Sequence, residues 1–323
     1  MTMPQTRLPT SRFFQFEEVA EGIYAAIVTA AGGAIGNAGI LDLGDQTLLF
    51  DTTQLPQAAL DLRSAAEQLT GRPISTVINS HWHGDHVNGN MVFGPEVRIL
   101  ATGYTRGLMR KYGAREITKD RETIGDYLKS LEDKAAQAED DAGRRRWTDW
   151  LSANREYAAA LPTLELRLPN VTFEQRHSFY GTRRRAELLT YGGGHSQSDS
   201  FLWLPDDGVA FLADLLFVGS HPWLRGGDDA EWDRILQRVE TLEIRKAVPG
   251  HGPVGTLADA GRVRRYLADL RQIAEAAVEE KLSLETTLQT PIPAAYRDWE
   301  FRSFYKITLR FLYERLTMAG EPS

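Results

Sequence analysis

The segment 81–86, with the sequence HWHGDH, brings three imidazoles and one carboxylate into six consecutive residues. Imidazole nitrogen and carboxylate oxygen are the ligands that borderline divalent metals accept in proteins. The segment directly follows 75–79, a short run rich in β-branched residues that we predict to be a strand. The cluster is therefore expected on a loop at the carboxyl end of a strand, where proteins built on sheets commonly carry their chemistry.

This one loop can serve two neighbouring metals. In an extended loop, His81 and His83 point to the same side, while Asp85 and His86 can serve an adjacent position. The chain contains no cysteine, which excludes disulfides, iron–sulfur clusters and any zinc site with thiolate ligands. Any further ligands must therefore be His, Asp or Glu.

Three more candidate ligands lie at the ends of predicted strands. His195 follows three glycines directly after a strand, and glycine there lets the backbone approach a crowded centre. Asp214 ends the apolar run 209–213, where a carboxylate has no role in core packing. His251 lies in VPGHGP at 248–253, a rigid turn at a strand end.

In this order, the HxHxDH, GH, strand-terminal Asp and GHG motifs resemble the metallo-β-lactamase superfamily, in its glyoxalase II-like branch with five His and two Asp ligands. The resemblance extends over roughly residues 16–275. It implies an α+β fold, a four-layer αββα sandwich with the metals at one edge of the paired sheets. It also implies a first metal held by His81, His83 and His195, a second held by Asp85, His86 and His251, and Asp214 as a bridge between them.

Departures from the lactamase patterns bear on the activity. Lactamases of the cysteine-ligand classes need a thiolate that this chain lacks, and a bridging Asp214 argues against the other zinc lactamases. The sequence around Asp214 instead resembles a broad group of hydrolases with a long helical insert. Ser196 stands where the family commonly has threonine, and it is a candidate for supporting a ligand or contacting substrate.

Three other residues have two interpretations each. Asp51 resembles the family's acid that orients the ligand loops by hydrogen bonds, and the alternative is a helix N-cap made by Asp51 or Thr52. His221 follows the predicted bridging aspartate and is either structural or in contact with substrate. His177 lies in a predicted strand, and we expect a structural role for it rather than an eighth ligand.

The predicted organisation is a tail at 1–15, a metallo-β-lactamase domain at 16–275 and a helical, aromatic-rich extension at 276–323. A helical hairpin at 118–160 is inserted into the domain, with the charged stretch 138–146 as its turn. We predict strands at 22–28, 38–43, 47–50, 75–79, 171–177, 186–191, 200–204, 209–213 and 246–248, and helices at 56–69, 230–242, 257–280 and 296–316.

The ligand set predicts a dinuclear metal-dependent hydrolase. A hydroxide bridging two divalent ions, in the first place Zn²⁺ with Fe or Mn as alternatives, attacks an ester, lactone or thioester carbonyl. Asp85 is the candidate that steers or accepts the proton. The alternatives are β-lactam hydrolysis and a mononuclear-iron oxidoreductase of the persulfide dioxygenase type. The net negative charge disfavours a nuclease. The complete ligand set disfavours a non-catalytic scaffold.

Charge and hydropathy restrict the partners. The formal net charge is −7, so no basic surface is expected for nucleic acid. No stretch approaches the roughly 20 apolar residues that span a bilayer, and the first dozen residues lack the apolar core of a signal peptide. We therefore expect a cytoplasmic protein with a small-molecule substrate, and the insert and the aromatic extension are candidates for covering the site or for forming a homodimer.

Overall fold

The computed structural model describes residues 7–319 and contains two β-sheets. The first sheet has its strands in sequence order: β1 (Phe14–Ala20), β2 (Ile23–Val28), β3 (Ala38–Asp42), β4 (Thr47–Phe50), β5 (Ile74–Ile78), β6 (Arg98–Thr102) and β7 (Val171–Phe173). The second sheet has the order β12-β11-β10-β9-β8, built from β8 (Arg176–Tyr180), β9 (Arg185–Gly192), β10 (Asp199–Leu204), β11 (Val209–Phe217) and β12 (Lys246–His251).

The helices connect and cover these sheets. They are α1 (Pro56–Thr70), α2 (Gly84–Val87), α3 (Gly103–Leu108), α4 (Ala114–Ala136), α5 (Asp141–Ala160), α6 (Asp229–Val239), α7 (Leu257–Glu279), α8 (Leu284–Thr287) and α9 (Arg302–Ala319). A π-helical turn, Met109–Gly113, joins α3 to α4. Among residues 7–319, no helix combines the length and the apolar composition that a membrane-spanning segment requires.

Three apolar clusters separate four layers. One cluster joins α1 to the outer face of the first sheet, for example through Leu62 and Val77. A second fills the space between the sheets, where the rings of Phe50 and Phe211 lie 5.8 Å apart. The third packs α6, α7 and α9 on the outer face of the second sheet around the buried Trp232. The predicted four-layer αββα sandwich and its helical C-terminal extension are confirmed.

Strand direction brings the candidate ligands to one edge. Strands β4, β5 and β6 are parallel neighbours, and so are β11 and β12. The carboxyl ends of parallel strands lie at the same edge of a sheet. The loop at 81–86 follows the end of β5, and His251 is the last residue of β12, so the sandwich collects these side chains at a single edge, as the sequence predicts.

Several predicted elements need correction. The strand predicted at 171–177 is two strands, β7 and β8, in different sheets, because the alternating pattern continues through the crossover and hides it. Strand β11 continues past Asp214 to Phe217, since its apolar sequence still faces the core. Strand β1 was not predicted, and it begins two residues before the predicted domain start at 16.

The helical insert is a hairpin of α4 and α5 with a shorter turn than predicted. The turn covers 137–140, and the three arginines expected in it lie in α5. Asp140 begins α5 as its N-cap, accepting a hydrogen bond from the backbone of Gly143. The two helices are joined by the Tyr157 hydroxyl, which donates to Asp120 at 2.6 Å, and Glu156 reaches Arg12 near the chain start at 3.2 Å.

Gly39 of β3 makes close packing between the sheets possible. A Cβ atom at Gly39 would lie 2.4 Å from the Phe211 ring, so no side chain fits there. We expect Gly39→Ala to lower the free energy of unfolding by about 1–3 kcal/mol through overpacking. Chemical denaturation would measure this loss.

Gly125→Ala is the matched control for this substitution. Gly125 lies on the exposed side of α4, and in the described structure its Cβ would point into open space. There alanine should be neutral or stabilising by about 0.5–1 kcal/mol, as in any exposed helix interior. A Gly39→Ala protein as stable as the wild type would contradict the packing argument.

Candidate metal centre

The structure gathers all seven residues that the resemblance implies as ligands. They form two adjacent groups in which the ligand atoms lie within 4.8 Å of one another. The first group is His81, His83, His195 and Asp214, and the second is Asp85, His86 and His251. Helix α2 begins at Gly84, so Asp85 and His86 lie in this single helical turn, whereas His81 and His83 precede it.

Three imidazoles converge in the first group. His83 Nδ1 lies 2.9 Å from His81 Nε2 and 3.0 Å from His195 Nε2. Asp214 Oδ2 lies 3.2 Å from His195 Nε2 and 4.0 Å from His81 Nε2. Three ring nitrogens and one carboxylate oxygen therefore point to a common position, with the donor types that a divalent cation accepts.

The second group lies on the other side of the same carboxylate. Asp214 Oδ1 is 3.0 Å from His86 Nε2 and 3.3 Å from His251 Nε2. Asp85 Oδ2 lies 3.5 Å from His86 Nε2 and 3.4 Å from His251 Nε2. Asp214 thus directs one oxygen to each group.

The buried polar atoms of this centre fit a pair of cations. Within the described part of the chain, His86 Nε2 and Asp214 Oδ1 are buried without a hydrogen-bond partner, although they lie only 3.0 Å apart. Buried polar atoms rarely remain unpaired, and these two are directed to a shared position rather than to each other. Gly250 permits the arrangement, since a Cβ there would lie 1.9 Å from Asp214 Oδ1.

Electrostatics differ between the groups. Burial lowers the pKa of His83 to about 3, so His83 offers a neutral imidazole, the form that binds metal. Burial also opposes the charging of His251, but the carboxylates of Asp214 and Asp85 outweigh it and raise the pKa of His251 to about 9. His251 must therefore release its proton when it binds a cation.

Asp51 supports the HWHGDH loop from behind. Its carboxylate accepts hydrogen bonds from the Ser80 backbone and the Ser80 hydroxyl, both at 2.8 Å, and from His86 Nδ1 at 2.9 Å. The Ser80 hydroxyl also lies 2.9 Å from His81 Nδ1. These contacts orient one histidine of each group. The alternative role of Asp51 as a helix cap is wrong, because α1 begins after Leu55.

Asp51 keeps this position with an unusual backbone. Its φ is 60°, in the left-handed region that non-glycine residues seldom occupy, at a cost of about 1–3 kcal/mol. The three hydrogen bonds to its carboxylate hold it there.

The loop that carries His195 is held by a residue that sequence reasoning missed. Asp199 accepts hydrogen bonds from Gly194 N at 2.7 Å, from Ser196 N at 3.1 Å and from Ser196 Oγ at 2.6 Å. Ser196 is only 1% exposed, and its hydrogen bonds to Asp199 make it part of this loop anchor. The sequence feature that could have pointed to Asp199 is the short polar run that follows His195.

We expect Asp199→Asn to weaken metal binding about 10–100-fold, the usual loss when a support of a metal ligand is removed. The amide NH₂ would face N–H donors that now meet a carboxylate oxygen, and the His195 loop would shift. Titration against a competing chelator would measure the affinity. Asp207→Asn is the control, because Asp207 pairs with Arg184 in the turn at the other end of β10 and β11. Unchanged affinity in Asp199→Asn would contradict this role.

His221 and His177 lie outside both ligand groups. His221 is fully buried, with its Nδ1 3.0 Å from the Tyr266 hydroxyl and its ring packed near Trp299. The suggested substrate contact of His221 is therefore not supported. His177 lies in β8 with its ring 4.7 Å from that of Phe179, which agrees with a structural role.

The model of the metallo-β-lactamase superfamily matches residues 31–251, more than half of the chain. The chain belongs to the metallo-β-lactamase superfamily. Membership implies an enzyme of the hydrolase type with a site that can hold metal.

Solved structures support the same fold. A metallo-β-lactamase from Pontibacter korlensis aligns with a TM-score of 0.56 at 16% identity, over 79% of this chain and 99% of that one. A metallo-β-lactamase from Erythrobacter litoralis, with β-mercaptoethanol in its active site, aligns with a TM-score of 0.57 at 14% identity, over 81% and 100%. At these identities the likeness establishes the fold of this superfamily member and not its substrate.

Aromatic side chains around the centre were also missed as site residues. The Trp223 ring lies 5.0 Å from that of His83, and the Phe301 ring lies 5.6 Å from that of His251. Phe301 in turn contacts Trp150 of the insert at 5.7 Å. The sequence indicates an aromatic-rich extension, but not that these rings from distant segments meet at the metal ligands.

Proposed function

We propose that this member of the superfamily is a dinuclear metal-dependent hydrolase that cleaves an ester, lactone or thioester of a small molecule. The observation that supports it most directly is the division of Asp214, with Oδ2 toward the first group and Oδ1 toward the second. A carboxylate shared in this way suits two adjacent divalent cations, in the first place Zn²⁺.

The bound cations would supply a Lewis acid for the carbonyl and would activate water at neutral pH. The protein's own part is to hold the ligands rigidly and to leave one side open. Asp85 and His83 are partly exposed, whereas the other ligand residues are buried. Substrate can therefore approach the centre from the side of these two residues.

Asp85 is the proposed proton acceptor. Its side chain is 23% exposed, against 5% for that of Asp214. Burial opposes ionisation of Asp85, but the neighbouring His86 and His251 outweigh it and lower the pKa to about 2. Asp85 is then a carboxylate at neutral pH, and its Oδ atoms can accept the proton that attacking water loses.

Metal analysis combined with a substrate screen tests this function. We expect two divalent ions per chain, loss of hydrolysis after chelation, and recovery with Zn²⁺. The screen compares p-nitrophenyl acetate, a γ-lactone, a glutathione thioester and a chromogenic cephalosporin. Near-normal hydrolysis by metal-stripped protein would contradict the proposal. One iron per chain with oxygen uptake on glutathione persulfide would support the oxidoreductase instead.

A further inference from the structure

We propose that the Trp150–Phe301 ring pair forms an apolar subsite that binds the acyl chain of the substrate beside the second ligand group. The inference rests on the proposed function for the nature of the substrate, an ester, lactone or thioester. It adds that the acyl group is a medium or long apolar chain. The evidence is the position, the conformation and the partial exposure of these rings.

Two segments outside the two sheets meet at this subsite. Trp150 belongs to α5 of the insert, and Phe301 directly precedes α9 of the extension. Their ring centroids are 5.7 Å apart at 65°, and the Phe301 ring stands edge-on to His251 at 5.6 Å and 85°. One connection of the insert with the metal centre therefore passes through the extension, by way of this ring contact.

The backbone of Phe301 is held in a strained conformation. Its φ is 54°, a left-handed value that costs a bulky residue about 1–3 kcal/mol. The preceding residue fixes it, because Glu300 N donates to Gly219 O and His221 N donates to Glu300 O, both at 2.9 Å. Such strain persists where surrounding contacts impose it, and here it directs an aromatic ring to a ligand histidine.

Further aromatic rings lie beside the first ligand group. Trp223 contacts the rings of His83 at 5.0 Å and His195 at 6.0 Å. The Trp82 ring lies 5.5 Å from that of Tyr112, which belongs to the π-helical turn Met109–Gly113. Turns of this kind are frequent at functional sites. A carbonyl at the metals would thus have apolar surfaces on both sides.

The exposure of these rings separates them from the core. Trp150, Phe301 and Trp223 are each partly exposed, whereas Phe217 and Trp232, which also contact ligand histidines, are buried. One face of Phe301 stacks on Phe304, at 5.1 Å and 19°. The parts of the three rings that still contact water gain free energy when an apolar ligand covers them.

The polar edges of two indoles are already occupied. Trp150 Nε1 donates to the Tyr127 hydroxyl at 2.8 Å, and Trp82 Nε1 donates to Gln197 Oε1 at 3.0 Å. These rings consequently offer a ligand their apolar faces and not a hydrogen-bond donor. An apolar chain can cover such a surface without leaving a polar group unpaired.

Methyl ketones of increasing chain length test the subsite without turnover. They carry the carbonyl and one apolar chain but have no bond to hydrolyse, so calorimetry reports binding alone, with or without metal. Full burial would tighten Kd about fourfold for each added methylene. We expect 2-undecanone to bind at least about tenfold more tightly than 2-heptanone, allowing for incomplete burial.

Two variants and two matched controls test whether the preference for the longer ketone depends on the Trp150–Phe301 ring pair. Phe301→Gly removes the ring and suits the left-handed backbone, and Trp150→Leu removes the second ring. Lys281→Gly relieves the same backbone conformation elsewhere, at φ 55°. Trp147→Leu removes another α5 indole, whose ring lies beneath Lys134 of α4.

We expect the 2-heptanone to 2-undecanone Kd ratio to fall below about threefold in Phe301→Gly and Trp150→Leu. The controls should keep the wild-type ratio. A wild-type ratio near one, or a ratio unchanged in both ring variants, would overturn the subsite.

The two proposals fail in different ways. Chain-length-dependent ketone binding that needs both rings, without hydrolysis of any ester, supports the subsite and contradicts the proposed function. Hydrolysis of esters with a ketone ratio near one supports the function and contradicts the subsite.

Discussion

Replacing Asp214 with alanine is expected to remove both metals and to lower hydrolysis by at least about a thousandfold, the scale of losing metal-ion catalysis. Each oxygen of Asp214 faces one ligand group, at 3.2 Å from His195 Nε2 and 3.0 Å from His86 Nε2. One substitution therefore takes a ligand from both positions. Metal content by mass spectrometry and kcat/KM on the best ester of the screen measure the effect.

Two comparison variants sharpen this test. Asp214→Asn keeps a single carbonyl oxygen, and we expect it to retain metal in one group at most. Asp42→Asn is the control, because Asp42 is a buried carboxylate that pairs with Arg183 at 3.0 Å. It ends β3, which runs antiparallel to β4, and so lies at the opposite edge of the sheet. Full metal content and activity in Asp214→Ala would refute the shared-carboxylate centre.

Asp85→Asn is expected to lower kcat about 100- to 10 000-fold, the range for losing a general acid or base. The amide cannot accept a proton, although its oxygen can remain near His86 and His251, 3.5 and 3.4 Å from the present Asp85 Oδ2. The first ligand group does not include Asp85 and should keep its metal. Steady-state kinetics and metal stoichiometry on the same preparation provide the measurement.

The stoichiometry decides what a loss of activity in Asp85→Asn means. If both metals remain and KM is little changed, the lost step is proton transfer, whereas loss of the metal of the second group would explain the lower kcat by itself. A kcat close to the wild-type value in protein with its full metal content would exclude Asp85 as the proton acceptor. Asp42→Asn serves here too, as a carboxylate-to-amide change at a buried position away from the ligands.

The insert and the extension contribute side chains that surround the ligand residues of this superfamily member. Trp150 and Phe301 come from these two segments, and they meet beside His251. Ligand residues common to many reactions carry little information on substrate. Substrate selection is therefore expected to depend on these added segments rather than on the seven ligand residues.

Much of the fold was predictable because its signals are local. The alternation of apolar residues and the glycines at strand ends indicated most of the strands of both sheets, and the apolar periodicity indicated the insert and the C-terminal helices. The pattern failed at the crossover between β7 and β8. An uninterrupted alternation describes backbone extension, and it does not report which sheet a strand joins.

The sequence by itself determined the identity of the candidate ligands. Spacing within the six-residue loop controls where His81, His83, Asp85 and His86 can point, and this depends only on local backbone geometry. The tertiary structure alone decided how Asp214 divides its oxygens, that Asp199 anchors the His195 loop, and that Phe301 meets Trp150. Those contacts join residues far apart in the chain. They follow from the packing of layers and loops against one another, which a linear pattern of residue types does not specify.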